Sequence, residues 1–461
     1  MNRRSNVRNF TEGSVAPQLL SFAAPLFASN LLQIVYNMVD MIIVGQKLGK
    51  IGLSAVAVGG DVSHFLTFIA MGFSGAGQVI IAQYLGAGKK GEVSRFIGTM
   101  FSFLMPIAAV LSAVCIALRV PILRVMNTPA ESFSEALGYA TICTGGLIFV
   151  YGYNMVSSVL RGMGDSVRPF IFISISAVTN IFLDILFVAV LEMGAAGAAL
   201  ATVFCQMLSF TMASVYILRN RDRYGIEIRG REFFTIDRGM LSRLVRLGIP
   251  MAIKSAAVQM SKLFVNSWIN SYGVAVSAFS GVANKLNSVT NLFSNAFTTA
   301  GSSMVGQNIG AGKYDRVRRV MLTIFAITFG IASVLTVLIL TIPEKIYGIF
   351  TSDAEVIAVG MKYIPIAVLL FFGTAARSGM NAFINGSGNT KANFATAILD
   401  GIVLRIGLSV LFGLGMGLKH YGFWLGDALA GFTPLWLGMI FYLRGNWKKS
   451  GAVSGTAEEK G

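Results

Sequence analysis

The string QYLGAGKK at Gln83–Lys90 returns as QNIGAGKY at Gln307–Tyr314. Glycines followed by lysine suggest a phosphate-cradling loop. That loop requires G-x-x-x-x-G-K-[S/T], and here the place of the first glycine holds Gln83, while Lys89 is followed by Lys90 and Lys313 by Tyr314. No strand pattern precedes either copy. The glycines are therefore read as helix terminators, and the lysine as an interfacial residue. Other landmarks keep the same spacing. At an offset of 224, Arg95 falls on Arg319 and RGMGDS (Arg161–Ser166) falls on NGSGNT (Asn385–Thr390). Leu20 and Pro25 pair with Val245 and Pro250 at an offset of 225. One spacing held over three separated landmarks marks a duplication.

Composition decides what was duplicated. The 461 residues are 54% hydrophobic and 13% charged, with a mean hydropathy of +0.69. Soluble domains carry roughly 25% charged residues. Apolar runs such as Ile173–Val190 and Thr323–Ile342 have the length that crosses a hydrocarbon core. Twelve spans are expected, at about 15–45, 52–85, 93–118, 133–157, 166–190 and 194–219, then 240–270, 276–308, 316–342, 355–380, 392–415 and 422–443. The expected domains are a cytoplasmic N-terminus (1–14), an N-terminal six-helix lobe (15–219), a charged cytoplasmic linker (220–239), a C-terminal six-helix lobe (240–443) and a polar, disordered cytoplasmic tail (444–461). Six spans is an even number, so both copies enter the membrane from the same side. The fold class is an all-α polytopic membrane protein: twelve transmembrane helices in two parallel six-helix repeats about a pseudo-twofold along the membrane normal. Transporters with a central cavity use this arrangement.

The N-terminal MNRRSNVR is followed by an apolar stretch from about Pro17 to Val44 without a small-residue cleavage site, so it reads as a retained first span. Cys115, Cys143 and Cys205 lie inside spans and read as small hydrophobes, not disulfide partners. The formal charge of +16 raises the question of a nucleic-acid partner. With a cytoplasmic N-terminus, 25 of the 37 Lys and Arg fall on the cytoplasmic side, seven on the other side and five inside spans. That asymmetry is the positive-inside pattern; it sets orientation and leaves no role for nucleic acid. The chain is expected in the plasma (inner) membrane, multi-pass, with both termini cytoplasmic.

Charges inside spans point to function by default. Span 1 (NLLQIVYNMVD) places Gln33, Tyr36 or Asn37, and Asp40 along one helix face, and span 5 (NIFLD) places Asn180 and Asp184 one turn apart. Counting residues from the span ends puts Asp40, Asp184 and Thr202 of span 6 roughly 9–12 Å below the outer boundary. Three helices thus bring polar groups to one depth. Two carboxylates at low dielectric do not both stay ionised cheaply, so the pair is expected to hold a proton or share a small cation. The oxygens of Asp40, Asn180, Asp184 and Thr202 are hard ligands suited to Na⁺. In the alternative, Asp40 hydrates at the outer mouth and Asp184 caps or pairs structurally.

The second half carries Lys254 and Lys262 on span 7, Lys285 on span 8, Arg377 on span 10, and Asp400 and Arg405 on span 11. Lys262 takes the place of Asn37. Two readings stand: Asp400 neutralises one or more of these cations, or the excess cations attract an anionic or zwitterionic substrate group. Gln33, Asn37, Lys262 and Arg377 are the candidate substrate-cavity residues. Arg161 and Lys391, at span ends, are expected to snorkel to the interface. The 21 Met and 34 Phe fit both packing and adaptable binding. His64 and His420 lack H-E-x-x-H spacing, and no nucleophile or resident metal set is visible, so an enzyme is not expected.

With its two six-span copies, repeated Q-x-x-G-A-G-K loops, R-G-x-G-D-S turn and N-x-x-x-D helix, the chain resembles the multidrug and toxic compound extrusion family, in its prokaryotic DinF-like branch, over roughly residues 10–445. The resemblance implies an antiporter that exchanges H⁺ or Na⁺ for amphipathic, often cationic compounds by rocking-lobe alternating access, needs no cofactor beyond the coupling ion, and works as a monomer. It implies that Tyr36, Asp40, Asn180, Asp184 and Thr202 form the coupling site and that Pro25 is a hinge. Other branches place acids on spans 7 and 10, where this sequence has Lys262 and Arg377. A lipid-linked oligosaccharide flippase of the same superfamily is the alternative, since it would use a cationic cavity for diphosphate.

Overall fold

The computed structural model describes residues 7–226 and 235–449. The tail from residue 450, the first six residues and the middle of the 220–239 connection lie outside the described residues. Among the described residues the chain is helical and contains no strand. The element Val15–Gly86 is two helices, α1 (15–48) and α2 (50–86), because Gly49 takes a non-helical φ of 62° and ψ of −153°. They are followed by α3 (Lys90–Ala117), the bent α4 (Ala130–Gly145 with Leu147–Gly162), α5 (Val167–Val190) and α6 (Gly194–Arg219). The second half gives α7 (Arg238–Asn270), α8 (Val274–Gly310), α9 (Tyr314–Thr341), α10 (Ala354–Ser387), α11 (Thr390–Gly415) and α12 (Lys419–Leu443). The chain is thus a twelve-helix membrane protein. By hydropathy α1 and α2 pass as one continuous element and α4 passes as a bent pair, while α7 and α8 do not pass, although at 33 and 37 residues both have ample length.

The repeated motifs have a physical explanation. At Gly88, φ is 72°; the N–H of Gly88 donates to Leu85 O at 3.1 Å and the N–H of Lys89 to Tyr84 O at 2.9 Å. At Gly312, φ is 70°, and the N–H of Gly312 donates to Ile309 O at 3.0 Å and that of Lys313 to Asn308 O at 2.8 Å. Both are Schellman caps, in which a left-handed residue lets the chain fold back on the last carbonyls. The expected helix terminators are present in both copies. The second copy does more: Gln307, 2% exposed, accepts the Phe10 N–H on Oε1 at 2.9 Å, and Asn308 Nδ2 donates to Phe10 O at 3.1 Å. Its glutamine therefore anchors the segment that leads into α1.

The G-x-G skeleton serves packing. A Cβ on Gly162 would stand 2.8 Å from Gln78 O, and one on Gly386 would stand 2.8 Å from Ser302 O. Both the glycines and the carbonyls they approach are 224 residues apart. So α4 meets α2, and α10 meets α8, at a spot where only a hydrogen fits, the close approach that small residues allow between membrane helices. Arg161 departs from expectation. It turns inward, its Nε donating to Gln78 Oε1 at 3.0 Å and its Nη1 to Ser157 Oγ at 2.6 Å, because these two acceptors lie within the lobe and satisfy the guanidinium there. Lys391 is exposed.

The chain divides into two compact units, one of residues 1–9 and 24–249, the other of residues 10–23 and 250–461. The sequence division at 220–239 differs from this. The first stretch of α1, up to Ala23, belongs with the second unit, and the first stretch of α7, up to Ile249, belongs with the first. The crossings fall beside Pro25 and Pro250, each inside a helix where proline removes a backbone hydrogen bond. In the second unit, Arg316 fixes the incoming segment: Nε to Phe10 O at 2.8 Å, Nη1 to Gly13 O at 2.7 Å, and Nη2 to Glu12 O at 2.7 Å.

The first unit packs small residues (Ala55, Ala136, Ala140, Ala195, Ala198, Ala199) around Val44 and Tyr139. The second has an aromatic core in which Phe279 meets Tyr347, Tyr363 and Trp424 edge-on. Large apolar side chains such as Phe182, Val334 and Trp436 stand exposed, as a hydrocarbon solvent permits.

Candidate functional site

In the first unit, Asn180 and Asp184 share one face of α5, and both are buried, at 3% and 0% exposure. Immediately after Asp184 the helix widens into a π turn over Ile185–Val190. Such insertions recur at functional positions because they re-aim side chains and loosen the local ladder. Tyr36 and Asp40 on α1 are half-buried. The charges of Asp40 and Asp184 act on each other, and both act on the Tyr36 hydroxyl. Cys205 on α6 lies beside Asn180 and Asp184, and Tyr139 and Cys143 on α4 lie within reach of the Asp40 charge.

The polar atoms here are unsatisfied. Both carboxylate oxygens of Asp184, Oδ1 of Asp40 and Nδ2 of Asn180 are buried without a hydrogen-bond partner. An ionised carboxylate stripped of water and partners costs several kcal/mol or more. The three carboxylate oxygens are acceptors that a proton or a small cation would satisfy, whereas the Asn180 amide nitrogen is a donor and needs an acceptor. Thr202 is half-buried on α6, and among the described residues no hydrogen bond joins its hydroxyl to either carboxylate. Tyr139, Cys143 and Cys205 escaped the sequence reading because tyrosine and cysteine in apolar spans look like packing; Cys205, three residues after Thr202 on the same face, was the available signal. All three cysteines are free thiols, and Cys115 is half-buried. Among the described residues no group of three or more His, Cys, Asp and Glu side chains forms a metal-ligand set.

The second unit holds a different arrangement. Arg377 Nη2 donates to Asp400 Oδ2 at 3.0 Å, and Arg405 Nη2 donates to Asp400 Oδ1 at 2.9 Å. Arg405 also pairs with Asp427 through Nη1. Lys254 Nζ donates to Asn381 Oδ1 at 2.6 Å. Asp400 thus takes two guanidiniums, and Asp427 of α12, absent from the sequence reading, takes a share of one. Asp427 sits in the glycine- and alanine-bearing stretch LGDALAG, where nothing in the local pattern marks it. Lys262 lines a small pocket, roomy enough for about one water, with Asn266, Tyr363 and Asp427 among its walls. Lys285 is exposed. Of the four candidate substrate residues, Gln33 is half-buried and Asn37 exposed on α1, Arg377 is committed to Asp400, and Lys262 is half-buried in the small pocket it shares with Asp427.

Comparisons with known proteins follow these features. The MatE family model matches residues 25–186 and 250–411, two copies that begin at Pro25 and Pro250. The probable multidrug resistance protein YpnP of Bacillus subtilis (strain 168) is 27% identical over 444 residues, covering 95% of this chain and 97% of that protein. Among solved structures, an outward-facing multidrug resistance MATE transporter of the MOP superfamily superposes with a TM-score of 0.89 at 20% identity, covering 97% of this chain and 100% of that one. A MOP superfamily transporter from Pyrococcus furiosus Vc1, described as having a binding pocket of reverse polarity that suggests a different function, gives a TM-score of 0.88 at 20% identity over the same shares.

Proposed function

The chain belongs to the MatE family of multidrug and toxic compound extrusion transporters, and from that premise we propose that it is a secondary active antiporter. It exchanges H⁺ or Na⁺ for amphipathic, often cationic compounds. The single observation that carries this reading is the bonding deficit of Asp184, fully buried with neither carboxylate oxygen partnered, next to the orphaned atoms of Asp40 and Asn180. Tyr36, Asp40, Asn180, Asp184 and Thr202 form its coupling site. Loading that site with a proton or Na⁺ removes the cost of a bare buried charge, so the ion stabilises whichever state holds the carboxylates dry. Alternation then follows from rocking of the two six-helix repeats, with Pro25 as the hinge on α1.

The protein works as a monomer in the plasma (inner) membrane with both termini cytoplasmic, without a cofactor, and is a transporter, not an enzyme. The flippase reading requires second-half cations free to hold diphosphate. Arg377 and Arg405 are engaged by Asp400 and Asp427, which favours the antiporter. Purified protein in proteoliposomes, loaded with a cationic dye, tests the proposal. Efflux is expected under an imposed H⁺ or Na⁺ gradient, and efflux indifferent to both gradients overturns it.

A further inference from the structure

A third intramembrane carboxylate stands apart from Asp40 and Asp184. Asp61 on α2 is exposed, and among the described residues no hydrogen bond or ion pair engages it. It lies twelve residues after Gly49 and 25 before Gly86, roughly 18 Å and 37 Å from the two ends of the helix. Asp40 precedes the same Gly49 by nine residues. Measured from that shared break, the two acids lie within about one helical turn of each other.

Their surroundings differ. A Cβ on Gly59 would stand 2.7 Å from the Tyr139 ring, so this side of α2 is pressed against α4. Tyr139 in turn lies within reach of the Asp40 and Asp184 charges. Asp61, two residues beyond Gly59, is turned roughly 200° away from that packed side. An open side of a membrane helix meets either hydrocarbon or water. An unpaired carboxylate this far from the helix ends is too costly in hydrocarbon, and such groups face water-filled paths. His64, one turn on, is exposed as well.

The second repeat gives the same answer independently. Gly273, 224 residues after Gly49, again has a positive φ, 119° against 62°, and α8 starts directly after it. The same offset carries Asp61 onto Lys285 and His64 onto Ser288, and both of these are exposed. Asn284 and Asn295 join them on the open side of α8, a helix that does not pass as a span by hydropathy. Equivalent positions of the two repeats therefore each bear an exposed charge deep in a span, of opposite sign.

Resting on the antiporter reading above, we infer that Asp61 is a specificity-determining residue that holds the cationic end of the exported compound, so that substrate charge and coupling ion are carried by different carboxylates. A carboxylate in water needs no bound ion to offset lost hydration, whereas a dry one does, and the two sets can thus be loaded separately. The same face of α2 supplies the apolar contact. Phe65, one turn from Asp61, is 51% exposed, and Phe68, two turns on, is half-buried. A charge followed by aromatic surface along one helix face matches the two ends of an amphipathic cation.

The test uses the full-length protein in nanodiscs and in proteoliposomes. Asp61→Cys is expected to react with a charged, membrane-impermeant methanethiosulfonate at least about tenfold faster than Phe182→Cys, whose site is exposed but apolar. Equal rates would put position 61 against lipid and overturn the inference. Affinities are measured by equilibrium dialysis for a trimethylammonium dye and its uncharged tert-butyl isostere. Wild type is expected to prefer the charged dye by about fivefold or more. In Asp61→Asn that ratio should fall towards one, and in Asp61→Glu it should persist. Equal affinity of wild type for the two dyes overturns the assignment, and so does an unchanged ratio in Asp61→Asn. In proteoliposomes Asp61→Asn should raise KM for the charged dye by a similar factor, while efflux at saturating dye still follows the imposed gradient. Efflux indifferent to the gradient in this variant, with wild type responding, overturns the separation of the two carboxylate sets. The antiporter reading is judged on wild type alone. Absence of gradient-driven efflux there, with the charge preference intact, would sink the antiporter and leave the Asp61 contact standing.

Discussion

Arg405 and Asp400, five residues apart on α11, meet at 2.9 Å with 2% and 0% of their side chains exposed. Since Arg405 also holds Asp427, one guanidinium satisfies carboxylates from two helices. Removing one partner of a buried pair costs about 3–5 kcal/mol, because the other charge is left uncompensated. Arg405→Met is therefore expected to lower the thermal unfolding midpoint in detergent strongly. Arg405→Lys should also lower it, as a single ammonium lacks the fork needed to reach both acids. A midpoint equal to wild type in Arg405→Met would show that the pair does not hold the unit together.

Asp184 behaves in the opposite sense. Its carboxylate has no hydrogen-bond partner to lose, so Asp184→Asn removes a costly buried charge without breaking a bond. Stability is expected to hold or rise, while gradient-driven efflux is abolished. Asp40→Asn should likewise abolish coupled export with the fold intact. Paired thermal-shift and proteoliposome assays check both, and wild-type transport rates in either variant would refute the coupling assignment.

The anchor between Gln307 and the Phe10 N–H makes a local prediction. Gln307→Leu deletes the acceptor at 2.9 Å and leaves the Phe10 N–H without it. Hydrogen exchange at the Phe10 amide should accelerate by about tenfold, corresponding to roughly 1–1.5 kcal/mol for one hydrogen bond. Arg316→Ala, which removes bonds to Phe10, Glu12 and Gly13, should speed exchange further and expose 10–18 to protease. Unchanged exchange in both variants would mean that the segment is held by other contacts.

Gly162 and Gly386 should respond alike, although one lies in RGMGDS and the other in NGSGNT. A methyl at either position meets a backbone carbonyl at 2.8 Å, and overpacking of this kind costs about 1–3 kcal/mol. Gly162→Ala and Gly386→Ala are each expected to lower the unfolding midpoint by a similar amount. If one is neutral while the other is not, the two close approaches are not equivalent.

Much of this protein is legible in its sequence, for identifiable reasons. Apolar runs long enough to span hydrocarbon announce the helices, and landmarks repeated at one spacing announce the duplication. Asp40 and Asp184 stand out because charge in a span is costly, and Asn180 because it lies one turn before Asp184. What escaped notice depends on partners remote in the chain. Arg161 reads as an interfacial residue until Gln78 and Ser157 are seen to meet it. Asp427 has no local signature, since its meaning comes from Arg405 on the neighbouring helix. Cys205 gains interest only from what lies across from it on α5. The crossing of units beside Pro25 and Pro250 is likewise a matter of long-range contacts, invisible to a reading that cuts the chain at its most charged connection.

That crossing bears on how such a gene could be divided. A break in the 220–239 connection would yield two fragments of nearly equal length, yet each would be born with a leading strap that belongs to its sibling: 10–23 on one, 235–249 on the other. Neither fragment alone would have its full complement of helix. Co-expressed, the two fragments would have to trade straps for each unit to have all of its residues.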